Sequence, residues 1–439
     1  MRRPLIRTLL AGAVTLLASA GQAQLLPGLG SVPGQLVGAL GSPADAPLAP
    51  PIAAPVLDRL NDIGGQPLGD SASLLDLRRA RLRELVQQHR AVLDADREGN
   101  PVRRGELIAV DPSLDTIARI RAAGFRVMGD DHIEGIGLHV VTIAPPPGTS
   151  TREGLTRIRT IAPNGEFDFD PIFEPAGLGL LAPVGAAALT SVLAHPAAIG
   201  MIDGGVSTHP SLRNAAIEQR GFTAHGARAS GHGTAVASLM VGSDGRFHGA
   251  APGASLLVAD VYGGDPADGS ALAIARALGW LTARGVRVIN ISLVGPANPL
   301  LERAIAAAAQ RGVLIVAAVG NDGPAAPPAY PASYPGVIAV TGVDDHNRAL
   351  PEAGKALHLD YAAPGADMAA ALPGSGYAVV RGTSFAAPLV TAQLVAAGGG
   401  AGAIAALSRE AVKGSGRIGK GIVCDTCRIA PRDVGARRQ

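Results

Sequence analysis

Cysteine is almost absent from this sequence, and charged residues are few. The 439 residues include two cysteines, 17% of them are charged, and the formal net charge is +2. A balance so close to neutral argues against a nucleic-acid-binding protein, because affinity for phosphate backbones depends on clustered positive charge.

The two cysteines, Cys424 and Cys427, form a C-x-x-C sequence in a glycine- and alanine-rich C-terminal tail, residues 401–439. A structural zinc site needs two more ligands, and no second pair lies nearby. A thioredoxin-like motif would stand before a helix in a βαβ unit, which is also missing. We therefore expect a local disulfide.

An apolar run long enough to cross a bilayer, about 20 residues, is also missing. Arg2, Arg3 and Arg7 are followed by an apolar stretch, Thr8 to Ala20, and then by small residues. This order is typical of a signal peptide, here residues 1–23, and a membrane anchor is the alternative. We expect a secreted or periplasmic protein without a transmembrane anchor.

Composition changes twice before the first compact pattern. Residues 24–70 are rich in Pro, Gly, Ala and Leu, which is typical of an extended linker. In residues 71–100, apolar residues recur at helical spacing among arginine and glutamate. This predicts an amphipathic helix that the Gly99-Asn100-Pro101 sequence would end.

Residues 101–175 contain patterns for four strands and two helices in the order β-α-β-β-α-β. This order predicts a small α+β domain of the ferredoxin-like type. Residues 176–196 follow as a linker.

From residue 197 to residue 400, short apolar runs alternate with helical patterns. The runs fall at Ala197–Ile202, Ser255–Val261, Val286–Ile291, Val313–Val319 and Val337–Val340. Continuous apolar strands that alternate with helices predict an α/β domain with a doubly wound parallel sheet. Sites in such sheets lie at the carboxyl ends of the strands.

Three motifs fall where a site is expected. Asp203 ends a buried strand, and His232 stands between two glycines at the start of a helix. Ser384 falls at a strand-to-helix turn, where unpaired backbone N–H groups favour developing negative charge. Alone, each has an ordinary explanation: a turn carboxylate, a structural histidine and an N-cap serine. Asn321 stands at another strand end. Its side-chain amide can donate a hydrogen bond to an oxyanion, and the alternative is that it is an ordinary turn residue.

Together, these motifs over residues 197–400 resemble the catalytic domain of the subtilisin-like serine proteases, the subtilases, which share the order Asp, His, Ser. The resemblance implies that Ser384 is the nucleophile, that His232 is the general base and that Asp203 orients it. It also implies an oxyanion hole made by Asn321 and the backbone N–H of Ser384.

The resemblance also implies a cleft that binds substrate as an added strand. The substrate-binding positions it implies are Ser292, Leu293, Val294, Gly320 and Ala329. Val294 stands where the family usually has glycine, so its side chain would narrow the cleft or displace the bound strand. No acidic residue is evident there to select arginine or lysine, and we expect a preference for uncharged, apolar residues.

Subtilases commonly carry an N-terminal ferredoxin-like prodomain that assists folding and occupies the active site until it is removed. Residues 101–175 stand at that position. The resemblance therefore implies a zymogen that cleaves itself between residues 176 and 196, with its own prodomain as intramolecular inhibitor. Proteins or peptides would be its substrates, and we expect a monomer.

Cofactors and alternative functions receive little support from the sequence. The Gly242–His248 segment lacks the asparagine-rich loop of the family's strong calcium site, and Asp244 alone is a poor ligand set, so we expect no metal. The main alternative is a catalytically silent subtilase fold used for binding or scaffolding. An esterase would need a G-x-S-x-G sequence, which Gly382–Ala386 does not supply.

Overall fold

Two stretches of the chain, residues 71–176 and 199–438, are described by the computed structural model. The predicted signal peptide (1–23), the linker 24–70 and all but the first residue of the linker 176–196 lie outside them.

The N-terminal region, residues 71–176, is built on a five-stranded antiparallel sheet. Its elements are α1 (Ser71–Gln88), β1 (Leu93–Ala95), β2 (Pro101–Val110), α2 (Leu114–Ala122), β3 (Arg126–Ile133), β4 (Leu138–Ala144), α3 (Thr151–Ile161), β5 (Glu166–Pro171) and β6 (Glu174–Pro175). Four strands lie in the order β5-β2-β4-β3, and β1 pairs with the start of β2. From β2 to β5 the elements follow the ferredoxin-like order.

The helix expected over residues 71–100 is shorter than predicted, since α1 ends at Gln88. Leu93, completely buried, belongs instead to β1, which pairs antiparallel with the start of β2. Asp96 and Asn100 close this hairpin, and the Asn100 N–H donates to Asp96 Oδ1 at 2.8 Å. The Gly99-Asn100-Pro101 sequence is therefore a hairpin turn, which a helix end resembles because both need the same residue types.

The region expected to be catalytic, residues 199–438 and called the catalytic region below, contains a seven-stranded sheet in which all strand pairs are parallel. The strands are β7 (Ile199–Asp203), β8 (Ile217–Gly221), β11 (Leu256–Asp260), β12 (Val288–Ile291), β14 (Leu314–Ala318), β15 (Val337–Val343) and β16 (Tyr361–Pro364), in the order β16-β15-β14-β12-β7-β11-β8. The smaller strands are β9 (Ser243–Asp244), β10 (Phe247–His248), β13 (Leu293–Val294), β17 (Met368–Ala371) and β18 (Tyr377–Val380).

Helices cover both faces of this sheet: α4 (Gly231–Val241), α5 (Ala271–Ala283), α6 (Pro299–Gln310), α7 (Thr383–Ala396) and α8 (Gly400–Glu410). Ile289 and Ile291 pack in the cluster with α5 and α6, whereas Val288 packs in the cluster with α4 and α7. Burial on both faces explains the continuous apolar runs of the sequence. The predicted doubly wound α/β fold is confirmed.

Edge strand β8 escaped prediction because it reads Ile-Glu-Gln-Arg-Gly and is only partly buried. The C-terminal tail packs along the opposite edge, where Val423 donates its N–H to the Ala362 carbonyl at 2.8 Å. A disulfide joins Cys424 and Cys427. Among the described helices, none by itself has the length and apolar composition needed to cross a membrane; α7 and α8 reach it only as a pair bent by 118°.

Candidate active site

Asp203 is the last residue of the central strand β7 and is completely buried. The N–H of Gly204 donates to its Oδ1 at 2.7 Å. The carboxyl end of a central parallel strand therefore presents a carboxylate whose orientation the following turn holds.

His232 is the second residue of α4, and its Nδ1 lies 2.8 Å from the same Asp203 Oδ1. Ser230 caps the helix by accepting the Gly233 N–H at 2.9 Å. A Cβ at Gly233 would collide with the Gly204 carbonyl, so glycine is needed where the helix start meets the β7 turn. The Asp203 contact orients the imidazole and leaves Nε2 as its other functional atom.

Ser384 is the second residue of α7, after Gly382, whose φ of 138° is open to glycine and strained for other residues. Among the described residues, the buried side-chain atoms without a hydrogen-bond partner include Ser384 Oγ and His232 Nε2. Buried polar atoms are nearly always paired, so these two require an explanation. Proton transfer between a nucleophile and its base provides one.

Pro388 lies in the interior of α7, where its missing N–H leaves the carbonyl of Ser384 without its usual helical donor. The hydroxyl of Ser292 donates to that carbonyl at 3.0 Å. Ser292 is held in turn by Asn290 Nδ2 at 2.9 Å, and Thr391 donates to Asn290 Oδ1 at 3.2 Å. This buried network fixes the start of α7. Asn290 and Thr391 were not among the predicted site residues, although an asparagine inside an apolar strand is a usable signal.

Asn321 follows β14 and faces the start of α7. Its Oδ1 accepts the Thr383 N–H at 3.0 Å, which leaves its Nδ2 free to donate into the cleft. Nδ2 donates to the carbonyl oxygen of Ala176, at the end of the N-terminal region. The structure thus brings a peptide carbonyl to the predicted oxyanion donor.

The segment before this carbonyl lies in the cleft as an added strand. β6 pairs antiparallel with β13, with Leu293 opposite Pro175 and Val294 opposite Glu174. The Ala176 N–H donates to the Ser292 carbonyl at 2.8 Å. Pro175 also lines a small cavity with Asp203 and His232. Sequence analysis placed Ser292, Leu293 and Val294 in the cleft but did not identify the segment that binds them.

Phe173 continues the strand on the far side of Glu174 and is completely buried. Its N–H donates to the Gly269 carbonyl at 2.8 Å, and its carbonyl accepts the Tyr262 hydroxyl at 2.7 Å. A Cβ at Gly295 would overlap the Phe173 ring. The cleft thus contains a closely fitting seat for an aromatic side chain.

Helix α1 fastens this segment from outside. Arg81 binds both carboxylate oxygens of Glu174, at 3.1 and 3.2 Å, and also Asp322 at 3.0 Å. Arg78 pairs with Asp322 at 3.2 Å. Asp322 directly follows Asn321, so α1 is linked by ion pairs both to the bound segment and to the loop of the predicted oxyanion donor. Sequence analysis gave α1 no such role.

Two other acidic residues, Asp260 and Asp244, are bound by groups outside the predicted triad. Asp260 ends β11 beside β7, and burial raises the pKa of its carboxyl despite hydrogen bonds from the Arg228, Tyr262 and Gly263 N–H groups. Asp244, considered for calcium, accepts the Tyr377 hydroxyl at 3.3 Å.

Metal-ligand spacing occurs once among the described residues. Ligand atoms of Asp130, His132 and His139 lie within 4.8 Å of one another. These side chains are on β3 and β4 of the N-terminal region, and Asp203, His232 and Ser384 are not part of the group.

The family model described as "Subtilase family" matches residues 195–410, about half of the chain. Subtilisin BL from Lederbergia lenta is 38% identical over 199 residues, which are 44% of this chain and 72% of that protein. The major intracellular serine protease of Bacillus subtilis (strain 168) is 35% identical over 211 residues, 45% of this chain and 66% of that protein.

Among solved structures, fervidolysin from Fervidobacterium pennivorans is similar with a TM-score of 0.61 at 20% identity, covering 75% of this chain and 61% of that one. The epidermin leader peptide processing protease of Staphylococcus aureus has a TM-score of 0.56 at 16% identity, covering 74% of this chain and 97% of that one. At these identities the likeness concerns the fold. It extends over more of the chain than residues 195–410.

Proposed function

The chain belongs to the subtilase family of serine-type endopeptidases, and from this we propose that it is an exported zymogen that activates itself by cutting the Ala176–Gly177 bond. Asp203, His232 and Ser384 form the triad of this proposal. The observation that carries it is the position of Ala176, whose N–H and carbonyl are both bound in the cleft.

The reaction follows from these positions. Ser384 Oγ attacks the carbonyl carbon of Ala176 while His232 Nε2 takes its proton and Asp203 stabilises the resulting imidazolium. The negative oxygen receives hydrogen bonds from Asn321 Nδ2 and the Ser384 N–H. His232 then gives the proton to the amine of Gly177, which leaves. Water, deprotonated by His232, attacks the acyl-enzyme and releases the Ala176 carboxylate, and Ser384 regains its proton. Other polypeptides would react in the same way.

Two features support the zymogen part of the proposal. The segment Phe173–Ala176 is bound along the cleft, and Arg81 holds Glu174 in place, so another substrate would have to displace it. Residues 101–175 pack against α5 of the catalytic region through Ile133 and Ile136. The N-terminal region would therefore inhibit the enzyme until it is cut and released. Export is supported by the basic start, apolar stretch and small residues within residues 1–23.

The test compares the wild-type protein with Ser384→Ala, using intact mass and N-terminal sequencing after expression and export. We expect the wild type to yield a new N-terminus at Gly177 and the variant to remain joined across this bond. In subtilisin itself, loss of the nucleophile lowers turnover by roughly 10⁶-fold, so residual processing should be undetectable.

A fluorophosphonate probe supplies the second measurement, because labelling at Ser384 requires an activated serine. Labelled wild-type protein with an unlabelled Ser384→Ala variant is the expected pair. Equal maturation of both proteins in a protease-free host would contradict self-processing, and an unlabelled wild type would contradict the triad. N-terminal sequencing of the exported precursor also tests removal of residues 1–23.

A further inference from the structure

The seat of Ala176 is defined by strand register. Val294 lies opposite Glu174, and Ala176 donates its N–H to Ser292, two residues before Val294. Side chains alternate between the faces of a strand, so Ala176 and Val294 lie on the same face of this pair as diagonal neighbours. Such diagonal neighbours are close enough for larger side chains to touch. A longer side chain at position 176 would therefore extend towards Val294.

Val294 closes the space that such a side chain would enter. A Cβ placed on Gly320 would lie 3.3 Å from Val294 Cγ1 and 3.9 Å from the Ala329 Cβ. The isopropyl group and the Ala329 methyl group therefore both lie close to the Gly320 backbone. The Val294 backbone is also held, because the next residue, Gly295, exchanges two hydrogen bonds with Tyr330, at 2.9 and 3.1 Å.

Room for a larger group exists beyond this barrier. Val294, Ala329 and Tyr330 line a cavity of about 710 Å³ between the two regions, and Ala176 is not among the residues that line it. The N-terminal region supplies most of the other lining residues, so this space opens to solvent when that region leaves. Loss of the isopropyl group would join the seat of Ala176 to this space. The size limit therefore depends on one side chain.

We propose that Val294 is the specificity-determining residue of this cleft and restricts cleavage to bonds that follow alanine or residues of similar size. The inference deepens the proposed endopeptidase function and depends on it. Its substrates are extended polypeptides with a small residue before the cut bond. Phe173 shows that the cleft accepts an aromatic residue three positions earlier.

The experiment uses mature wild-type enzyme and fluorogenic peptides Phe-Glu-Pro-X with X as alanine, leucine or phenylalanine before the cleaved bond. Each added methylene at a closed pocket costs roughly 10-fold or more, so we expect kcat/KM for alanine to exceed that for leucine and phenylalanine by about 100-fold. Val294→Gly should bring the three values within roughly threefold. Val294→Thr, which keeps the branched shape, should retain the size limit and is the matched control.

A test within the chain pairs the two positions directly. Ala176→Phe should slow maturation of the precursor by about 100-fold, and Ala176→Phe with Val294→Gly should restore it to within about 10-fold of wild type. The thermal unfolding midpoint of each precursor, measured in the Ser384→Ala background, reports whether the variant is folded.

Equal cleavage of the three peptides by the wild-type enzyme would overturn the specificity role, whatever the variants do. The specificity role would also be overturned if Val294→Gly, folded and labelled by the probe, kept the wild-type ratio of kcat/KM for alanine to kcat/KM for leucine and phenylalanine. Absence of cleavage of every peptide by labelled wild-type enzyme would instead count against the proposed endopeptidase, so the two failures are distinguishable.

Discussion

The inside of the catalytic region and its contact with the N-terminal region differ in how much charge they contain. Strands β7, β11 and β12 are completely buried and consist mainly of apolar residues. The contact with the N-terminal region is rich in ion pairs with one partner on each side: Arg78–Asp322, Arg81–Asp322, Arg103–Asp268, Asp131–Arg276, Asp111–Arg303 and Glu166–Arg303.

In the proposed zymogen, this difference bears on how the N-terminal region separates after cleavage. Apolar burial changes little with salt, whereas the partly exposed pairs of Arg276 and Arg303 are screened by it. The pairs of Arg78, Arg81 and Arg103 are more buried and are screened less. The N-terminal region also adds apolar contacts, because seven of its buried residues belong to the same core cluster as α5 and α6: Ile108, Val110, Ile133, Ile136, Leu138, Val140 and Phe173. The contact therefore combines apolar burial with ion pairs. We infer that the catalytic region persists after cleavage, while release of the N-terminal region depends on salt and pH.

The largest expected effect comes from a substitution within the catalytic region that alters the reaction alone. Asn321→Ala removes the amide donor at the Ala176 carbonyl and should lower kcat by about 10²- to 10³-fold, a figure that comes from subtilisin itself. Steady-state kinetics on an alanine-containing peptide measure this.

In the mature enzyme, Asn298→Ala is the matched control, because Asn298 caps α6 by accepting the Leu301 N–H at 3.2 Å and takes no part in the triad. Its contacts with Asp168 and Phe169 are lost with the N-terminal region. It should lower stability by about 1 kcal/mol and leave kcat unchanged. Similar kcat values for Asn321→Ala and the wild type would contradict the oxyanion role.

A second prediction concerns Asp170, a residue of β5 in the N-terminal region that is buried against the start of α5. Its carboxylate accepts the Leu272 N–H at 3.0 Å, and burial raises its pKa from 3.8 to about 6. The buried site therefore favours the protonated acid. The contribution of Asp170 to stability is fully present below pH 3.8 and is lost as the pH rises through 6.

The measurement is the free energy of unfolding of the Ser384→Ala precursor, with and without Asp170→Asn, between pH 4 and 7.5. A shift of about two pKa units corresponds to a loss of about 3 kcal/mol as the pH rises. Asp170→Asn should remove this part of the pH dependence. Parallel curves for the two proteins would show that Asp170 does not couple the contact to pH.

The smallest expected effect concerns a single ion-pair cluster across the contact. Arg303→Ala loses pairs with Asp111 and Glu166, all partly exposed, and should weaken retention of the cleaved N-terminal region by less than about 1 kcal/mol. Gel filtration of matured protein at low and high salt measures how much of the cleaved N-terminal region stays bound to the catalytic region. We expect the fraction of N-terminal region that dissociates to increase with salt, and the Arg303→Ala protein to reach the same fraction at a lower salt concentration.

Arg284→Ala is the control here, since Arg284 pairs with Glu218 wholly inside the catalytic region. It should leave retention unchanged. If the N-terminal region stayed bound to the same extent at every salt concentration, with or without Arg303, ion pairs would not distinguish this contact from the inside of the catalytic region.

Local pattern was sufficient for the elements of both regions. Apolar runs in the sequence predicted the buried parallel strands. Asp203, His232 and Ser384 stood at strand ends and helix starts. Pattern failed at residues 89–100, where turn residues suit a helix end and a hairpin equally. It also passed over Asn290 and Thr391, whose roles depend on a carbonyl that Pro388 leaves without a donor.

The sequence by itself determined the family, the α/β fold and the residues of the proposed triad, because each is written in short-range spacing and in residue type. Only the tertiary structure decided that Ala176 lies in the cleft, that Val294 closes its seat and that Asp170 is buried by a partner region. These are contacts between segments far apart along the chain. Their geometry follows from how two regions pack together, which no local pattern records.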